Sequence, residues 1–303
     1  MSEPRLYAIP VLGRYGLTHG LLAWARCRLW CEQNGATMLA PFWLKLRIGP
    51  YLRRERDKRN YFLLFHSGRA VSGLRRLGAL ARARKVVAGA EWPAVPALTD
   101  APVVVEFHNA LLDNEKKSFA QILGQGSFLR RELIAITRQR FHPVPPSEPF
   151  IAIHVRLGDF RLPPANGTVA PNANNTRLPL DWYGDRLDAL RRGLGGSVCA
   201  IVFSDGSDAD LAPLLTRDGV VRAPRQHSVT DLLHMGLSAA LIASGSGFSL
   251  WGAFLGSAPR LAHPGQAIVP IDANRTRDIE SAFGAEIDAA FLAHVRARLD
   301  RCA

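Results

Sequence analysis

The sequence predicts an α/β protein with a parallel sheet in each of two halves. Short apolar runs rich in β-branched residues alternate with longer segments of helical periodicity. Such alternation is typical of parallel sheets whose two faces are covered by helices. The length of 303 residues exceeds that of one typical core, which favours two domains of about 150 residues each.

The predicted domain boundary is the proline-rich segment 142–149, HPVPPSEP. Four prolines within eight residues disfavour regular structure and form a semi-rigid connector. We therefore predict an N-terminal domain over residues 1–145 and a C-terminal domain over residues 146–303.

Each half has its own order of predicted elements. The first half has a strand at 6–11, a helix at about 18–33, a short strand at 37–39, basic helices and a strand at 103–107. The second half has strands at 150–156, 198–204, 219–222, 240–244 and 267–270, and helices at 182–194, 208–217, 229–237, 247–256 and 278–300. We expect the last helix to pack back on the first domain. The loop at 161–179 is long enough to predict a functional role.

The most informative segment is Phe150–Phe160, FIAIHVRLGDF. His154 and Arg156 leave the same face of the predicted strand, because side chains alternate along a strand. An arginine at the carboxyl end of a buried strand lies where open α/β sheets bind anions. Its planar fork suits a pyrophosphate. On its own, this pattern is more typical of a strand that ends in solvated polar residues, and the motifs further along the chain favour a binding site.

A second polar segment, Ser204–Asp208, follows the apolar run at 199–203. An ionised Asp205 can accept hydrogen bonds from two adjacent donors, such as N1–H and N2–H of guanine. The alternative is that Ser204, Asp205 or Ser207 caps the helix that follows, and the two roles are compatible.

The third segment, Ser244–Leu255, leads from a strand into a helix through a Ser/Gly turn. Its glycines let a ligand approach the backbone, and free N–H groups at a helix N-terminus favour an anion. We therefore predict that Ser246, Gly247, Phe248 and Ser249 bind an anionic group. The turn lacks the dinucleotide fingerprint and the Walker lysine.

Asp208 and Asp210 match the D-x-D pattern that holds a metal ion in some nucleotide-binding sites. We interpret them instead as acids that the helix dipole favours in a first turn. Three predicted anion sites at strand ends would take over the role of a metal, so we predict no metal and no cofactor.

The formal net charge is +12, with 33 arginines and 5 lysines. The densest basic stretches are Arg47–Arg59 and Arg69–Lys85. Such runs usually form a solvated face, and the alternative is an anionic partner such as the inner membrane leaflet or a pyrophosphate-linked lipid. No zinc-finger, RRM or basic-zipper pattern occurs, which argues against nucleic acid as a partner.

Cysteine usage and hydropathy predict the compartment. The four cysteines, at 27, 31, 199 and 302, form neither a disulfide framework nor a zinc pattern. The sequence has no uninterrupted apolar run of about 20 residues, as a membrane span would need, and no signal-peptide core. We expect a cytoplasmic protein, with peripheral contact to the inner face of the membrane if the basic stretches bind lipid.

The order of the three motifs resembles that of the bacterial α-1,2-fucosyltransferases. These motifs read H-x-R-x-G-D, F-S-D and S-x-S-x-F-S-x-W-G-A-x-L, and the third is the most specific. The protein O-fucosyltransferases and α-1,6-fucosyltransferases are more distantly similar. Gly13–Gly20, GRYGLTHG, is similar to the glycine loop that opens these enzymes. The resemblance covers the segments 8–40 and 150–270.

This resemblance implies two Rossmann-like domains that face each other across a cleft, as in GT-B glycosyltransferases. It implies an inverting transfer of fucose from GDP-fucose to a glycan hydroxyl, in α-1,2 linkage, with GDP on the second domain and the acceptor, lipid-linked acceptors included, on the first. The implied donor-binding residues are His154, Arg156, Asp205, Ser246, Gly247, Phe248 and Ser249. The implied acceptor or phosphate loop contains Gly13, Arg14, Gly16 and His19. Arg156 and Asp159 are the predicted catalytic residues, and Asp159 and Glu106 are candidate bases by residue type.

Two departures from the family pattern leave the acceptor and the linkage open. Leu157 stands where the α-1,2 enzymes usually have a second arginine, and Leu17 and Thr18 stand where they have Asn-Gln. His19 is a candidate replacement for that asparagine, or a capping or core residue. The alternative functions are transfer from another GDP-sugar, such as GDP-mannose, and an inactive nucleotide-sugar-binding scaffold.

Overall fold

The computed structural model describes residues 5–13, 16–43, 61–89, 91–98, 100–108, 115–158, 160–163, 169, 175–266, 269–272 and 275–302. The chain divides into two compact units, Met1–Arg140 and Phe141–Ala303. Both units are α/β and are built on parallel sheets.

The first unit is built on a four-stranded parallel sheet. Its strands are β1 (Leu6–Val11), β2 (Thr37–Met38), β3 (Arg84–Ala88) and β4 (Val103–His108). Its helices are α1 (Leu17–Asn34), α2 (Gly73–Arg82), α3 (Glu115–Ala120) and α4 (Gly126–Ile136). The strand order is β2-β1-β4-β3, so the loops after β1 and β4 leave the same edge of the sheet, from neighbouring strands.

A buried arginine anchors α1 in the first unit. Arg26 is only 1% exposed, and it donates from Nε to Gln121 at 2.8 Å and from Nη2 to the carbonyl of Gly89 at 2.9 Å. These bonds satisfy a charged group that would otherwise be costly to bury. The helix ends at Gly35, whose φ of 60° lies in the left-handed region that glycine favours.

The second unit is built on a six-stranded parallel sheet. Its strands are β5 (Phe150–Val155), β6 (Cys199–Ser204), β7 (Val220–Arg222), β8 (Ala240–Ile242), β9 (Arg260–Ala262) and β10 (Asp278–Glu280). Its helices are α5 (Leu180–Leu194), α6 (Asp208–Leu215), α7 (Ser228–Met235), α8 (Gly247–Gly256) and α9 (Ala289–Cys302).

The strand order β10-β9-β8-β5-β6-β7 creates a topological switch point between β5 and β8. From β5 the chain first builds β6 and β7 on one side, and then returns to build β8, β9 and β10 on the other. Ile153 of β5 pairs with Val202 on one side and Ile242 on the other. All residues of β5 are buried, so both faces of the sheet are covered. In open α/β sheets, ligands bind at the carboxyl ends of the strands beside such a switch point.

Most of the predicted strands and helices are confirmed to within a few residues, and three predictions are wrong. The strand β9 at Arg260–Ala262 was not predicted. A strand was predicted at 267–270 instead, but residues 269 and 270 form no strand, and residues 267 and 268 lie outside the described residues. The segment 278–280 is the strand β10, so the last helix begins at Ala289. The basic segment before residue 103 contains the strand β3 beside the helix α2. The basic stretch at 47–59 lies outside the described residues.

The last helix, α9, contributes to the core of the second unit, and its expected packing on the first domain stays a prediction. Phe291 and Val295 are fully buried there, in one cluster with Leu187 and Leu190 of α5. Within the described ranges, no helix combines the length and the apolar character that a bilayer span would need.

A buried ion pair explains why the sequence concealed β9 and β10. Arg260 of β9 donates from Nε and Nη2 to the two carboxylate oxygens of Asp278 of β10, at 2.7 and 2.9 Å. Their side chains are only 4% and 1% exposed. Asp278 also accepts from the backbone N–H of Ile271 at 3.0 Å. Charged residues at buried positions interrupt the apolar pattern by which a strand is recognised.

The Arg260–Asp278 pair gives a stability prediction. Asp278→Asn leaves the buried Arg260 without a counter-charge and should lower the free energy of unfolding by about 3–5 kcal/mol in urea titrations. The matched control is Asp188→Asn, because Asp188 pairs with Arg217 while both side chains are 33% or more exposed. This control should lose no more than about 1 kcal/mol. Equal losses in the two variants would contradict the structural role of the buried pair.

Candidate active site

A buried polar network joins the carboxyl end of β5 to the start of α8. The Nδ1 atom of His154 lies 2.7 Å from the hydroxyl of Ser249 and 2.9 Å from the hydroxyl of Ser244. The backbone N–H of Ser244 also donates to the carbonyl of His154 at 3.1 Å. The His154 ring is stacked against Phe248, with ring centroids 6.0 Å apart. This network fixes the Ser/Gly turn directly beside the switch point.

His154 is neutral at physiological pH. Burial, followed by the nearby positive charge of Arg156, lowers the pKa of His154 to about 4, and the carboxylate of Asp205 opposes the shift. A neutral imidazole has one N–H donor and one acceptor nitrogen, and the serine hydroxyls gather at Nδ1. His154 therefore positions Ser244 and Ser249 within the site.

The carboxylate of Asp205 holds the loop that follows β5. Its Oδ1 accepts from the backbone N–H of Leu157 at 2.8 Å, and its Oδ2 accepts from the N–H of Gly158 at 3.0 Å. Oδ2 also lies 2.8 Å from Nη1 of Arg156. Both oxygens thus have partners within the protein. The predicted contact of both oxygens with guanine requires some of these bonds to open, and it stays a prediction.

Two glycines allow the loops after β5 and β6 to approach each other. A Cβ atom on Gly158 would lie 2.4 Å from Oδ2 of Asp205, and one on Gly206 would lie 2.5 Å from Cδ1 of Leu157. Both distances are too short for a real contact, so any larger residue at either position would force the side chain of Asp205 or Leu157 to move. Leu157, where the resembling family usually has arginine, packs against Gly206.

The Ser/Gly turn forms the N-terminus of α8. Ser246 is the N-cap residue, and its hydroxyl accepts from the N–H of Phe248 at 3.1 Å. The first N–H groups of a helix lack intrahelical partners, and the helix dipole makes this end positive. Ser249, by contrast, is fully buried against His154. The turn can therefore offer backbone N–H groups to an anion, while Ser249 supports the turn from within.

Asp208 and Asp210 have structural partners in the second unit. Ser207 and Asp210 form a capping box at the start of α6, so the predicted capping by Ser207 is confirmed. The hydroxyl of Ser207 donates to Asp210 at 2.6 Å, and such bonds lower the pKa of the Asp210 carboxyl. Asp208 pairs with Arg222. These contacts agree with the interpretation of the two acids as residues of a helix start.

The predicted loop residues of the first unit lie at the carboxyl end of β1. Gly13 has a φ of 58°, in the left-handed region, and Gly16 is the N-cap residue of α1. His19 lies partly buried in the first turn of α1. Arg14 and the predicted catalytic residue Asp159 lie outside the described residues. The roles predicted for these residues stay predictions.

Glu106, the other candidate base, lies in β4 of the first unit. Its Oε2 lies 3.2 Å from Nε2 of His108, and its Oε1 lies 3.6 Å from Nζ of Lys85. Both neighbours are basic residues, one in β3 and one in β4 itself.

Gln266 packs against the Ser/Gly turn, and no motif in the sequence predicts this position. Gln266 is 4% exposed, and its Nε2 donates to the carbonyl of Thr176 at 3.2 Å. Among the residues that the structure describes, its Oε1 has no hydrogen-bond partner, and a Cβ atom on Gly245 would lie 2.4 Å from it. Gln266 thus connects the loop around Thr176 to the turn. It follows β9, a strand that the sequence pattern did not predict.

Comparisons with known proteins found structural likeness only. No protein-family model matches the chain, and no curated protein matches it. NodZ α-1,6-fucosyltransferase soaked with GDP-fucose is similar at 12% identity and a TM-score of 0.46, over 85% of this chain and 94% of that chain. Fucosyltransferase NodZ from Bradyrhizobium is similar at 14% identity and a TM-score of 0.45, over 85% of this chain and 95% of that chain. POFUT1 in complex with GDP-fucose is similar at 12% identity and a TM-score of 0.46, over 94% of this chain and 100% of that chain.

The lowered pKa of His154 predicts a loss of stability in acid. Below about pH 6.5 the histidine of the unfolded chain takes up a proton, whereas the folded one stays neutral until about pH 4. Stability should therefore fall as the pH falls through this window. In urea unfolding between pH 7 and pH 4.5, the wild type should lose on the order of 2 kcal/mol more than His154→Asn.

Other buried histidines do not disturb this comparison. Burial also lowers the pKa values of His234 and His263, but both residues are present in the wild type and in the variant, so their contributions cancel. Equal pH dependence of the two proteins would contradict a buried neutral His154.

Proposed function

We propose that this protein is a glycosyltransferase that binds GDP-fucose at the carboxyl edge of the second unit's sheet and transfers fucose to a glycan hydroxyl. One observation carries the proposal. The guanidinium of Arg156 follows β5, and the N-terminus of α8 follows β8, the strand across the switch point. Both groups attract anions, and they lie at the edge where open α/β sheets bind ligands.

This pair of positive groups suits the departure of a nucleoside diphosphate. When the bond between sugar and phosphate breaks, negative charge develops on the diphosphate and positive charge on the sugar. Arg156 and the N–H groups of α8 would stabilise the diphosphate, and one preorganised donor of this kind contributes on the order of 3 kcal/mol to a transition state. His154, neutral and buried, would keep the turn in place during this change.

The ion pair with Asp205 is compatible with diphosphate binding. Asp205 is bound through Nη1 of Arg156, whereas a guanidinium presents five N–H donors in a planar fork. The diphosphate would approach the fork from the side opposite Asp205, with the carboxylate fixing the plane of the guanidinium. Asp205 would in this way orient Arg156, in addition to the predicted contact with guanine.

The proposal includes no metal ion, because cationic groups of the protein take over the charge. It extends to inversion at the anomeric carbon, α-1,2 linkage, a glycan acceptor that includes lipid-linked glycans, and a place in the cytoplasm or at the inner face of the membrane. The motif resemblance supports these finer points. Asp159 and Glu106 remain the proposed candidates for the base.

Arg156 gives the first functional prediction. Arg156→Ala should abolish both the transfer of fucose and the slow background hydrolysis of the donor. Arg156→Lys should recover little of either activity, because the planar fork is lost. Hydrolysis of GDP-fucose by purified protein is the measurement, and it also separates an enzyme from an inactive scaffold. The control is Arg192→Ala, which removes an exposed arginine of α5. Turnover in Arg156→Ala close to that of the wild type, with unchanged thermal unfolding, would refute the role of Arg156.

The base preference gives a second functional prediction. Calorimetry should show that GDP binds more tightly than UDP or ADP, with IDP between them, because IDP lacks only the N2 amine of guanine. Asp205→Ala should flatten this ranking. The same substitution should also lower the affinity for inorganic pyrophosphate, because Arg156 and the loop after β5 lose their anchor.

The pyrophosphate titration separates the two roles of Asp205. If Asp205→Ala lowers the affinity for all ligands by the same factor, so that GDP still binds more tightly than IDP, UDP or ADP, the carboxylate positions Arg156 and does not contact guanine. Equal affinity of the wild type for GDP and UDP would contradict the proposed donor.

A further inference from the structure

The first unit contains a cavity of about 390 Å³ that no step of the proposed reaction uses. It lies beside the edge strand β2, among α1, α4 and the segment 66–70. We call it the tryptophan pocket, because Trp24 and Trp43 line it together with Met38 and Ile136. Its volume lies in the range of small-molecule sites, about 300–1,000 Å³, and such sites combine aromatic surface with a few fixed polar groups.

A chain of two ion pairs forms one wall of the tryptophan pocket. Arg28 donates from Nη2 to Oε2 of Glu32 and from Nε to Oε2 of Glu132, both at 2.7 Å. The guanidinium also lies over the ring of Phe128, 5.2 Å from its centroid. Among the described residues, Oε1 of each glutamate has no partner. The wall therefore provides two carboxylates that can accept hydrogen bonds from a ligand, one half-buried at Glu132 and one exposed at Glu32.

The charges of the lining indicate a neutral ligand. Arg28 and Arg69 contribute two positive charges, and Glu32 and Glu132 contribute two negative charges, so they cancel. A lining whose charges balance gives no net attraction to a phosphate or to an isolated cation.

The polar groups of the lining indicate a ligand that both donates and accepts hydrogen bonds. The carboxylates accept, Arg69 donates, and the hydroxyls of Thr37 and Ser67 do both. A sugar ring has this character, because each hydroxyl donates and accepts while the C–H groups form an apolar surface that can pack on indole. We propose that the tryptophan pocket binds a neutral pyranose unit. This binding needs neither the donor nor the transfer reaction, so it stands apart from the proposed function.

The test uses the full-length protein and defined probes. Galactose, N-acetylglucosamine and lactose are the neutral probes, and glucose 6-phosphate is the anionic one. Calorimetry and tryptophan fluorescence report binding, because two of the six tryptophans line the pocket. We expect at least one neutral sugar to bind saturably, with a dissociation constant on the order of 1 mM. Glucose 6-phosphate should bind more weakly than that sugar.

Two variants place the site. Ala70→Phe fills the pocket with a large side chain and should lower the affinity for the sugar at least about tenfold, because the space is lost. Glu132→Gln removes a charged acceptor and should weaken it about fivefold to tenfold. Glu286→Gln, the same change at an exposed position of the second unit, should leave the affinity unchanged.

The outcomes are separable from those of the donor site. If no neutral probe binds the wild type saturably, or if both pocket variants bind like the wild type, the proposal is wrong. Stronger binding of glucose 6-phosphate would also overturn it. GDP affinity, measured in the same proteins, should be equal in the wild type and both variants. A wild type that binds sugar but not GDP would count against the proposed function and support the tryptophan pocket.

Discussion

The carboxylate of Asp205 is the contact on which the carboxyl edge of the second unit depends. It accepts hydrogen bonds from the backbone of Leu157 and Gly158 and pairs with Arg156, so it fixes both the loop after β5 and the cation beside it. Without this anchor the loop would have to satisfy its N–H groups with water, and the arginine would lose its orientation. The close approach of Gly158 shows how tightly the loop is drawn onto the carboxylate.

On the other side of β5, a neutral contact takes the place of an ionic one. The buried imidazole of His154 binds the hydroxyls of Ser244 and Ser249 without adding charge. A protonated histidine there would repel Arg156 and raise the cost of burial. The positive character of the site therefore comes from two half-buried places, the guanidinium of Arg156 and the N-terminus of α8.

The sequence predicted those parts of the fold and the site that depend on local patterns. The strand ends at His154, Asp205 and Ser246 can be predicted because an apolar run stops there at polar or glycine residues. The partners of Asp205 cannot be predicted from local patterns, because its bonds to Leu157 and Gly158 span 48 and 47 residues. The sequence placed β5 correctly but could not show which strands flank it.

The two strands at one edge of the second unit's sheet, β9 and β10, were not predicted for a different reason. The strands β9 and β10 carry Arg260 and Asp278 at buried positions, and single charges of this kind look like surface residues until their partner is known. Because β9 was not recognised, Gln266 beyond it could not be placed near the Ser/Gly turn. The tryptophan pocket was equally hidden, since Arg28 and Glu132 lie 104 residues apart in the chain.

A crystal structure of the protein with GDP bound would test the proposed donor site most directly. We expect diphosphate oxygens within hydrogen-bond distance, about 2.7–3.2 Å, of the guanidinium of Arg156 and of backbone N–H groups in Gly247–Ser249. We also expect His154 to keep its contacts with Ser244 and Ser249. A diphosphate bound elsewhere, with the Ser/Gly turn unoccupied and Arg156 still paired with Asp205, would show that the donor does not bind at this edge of the sheet.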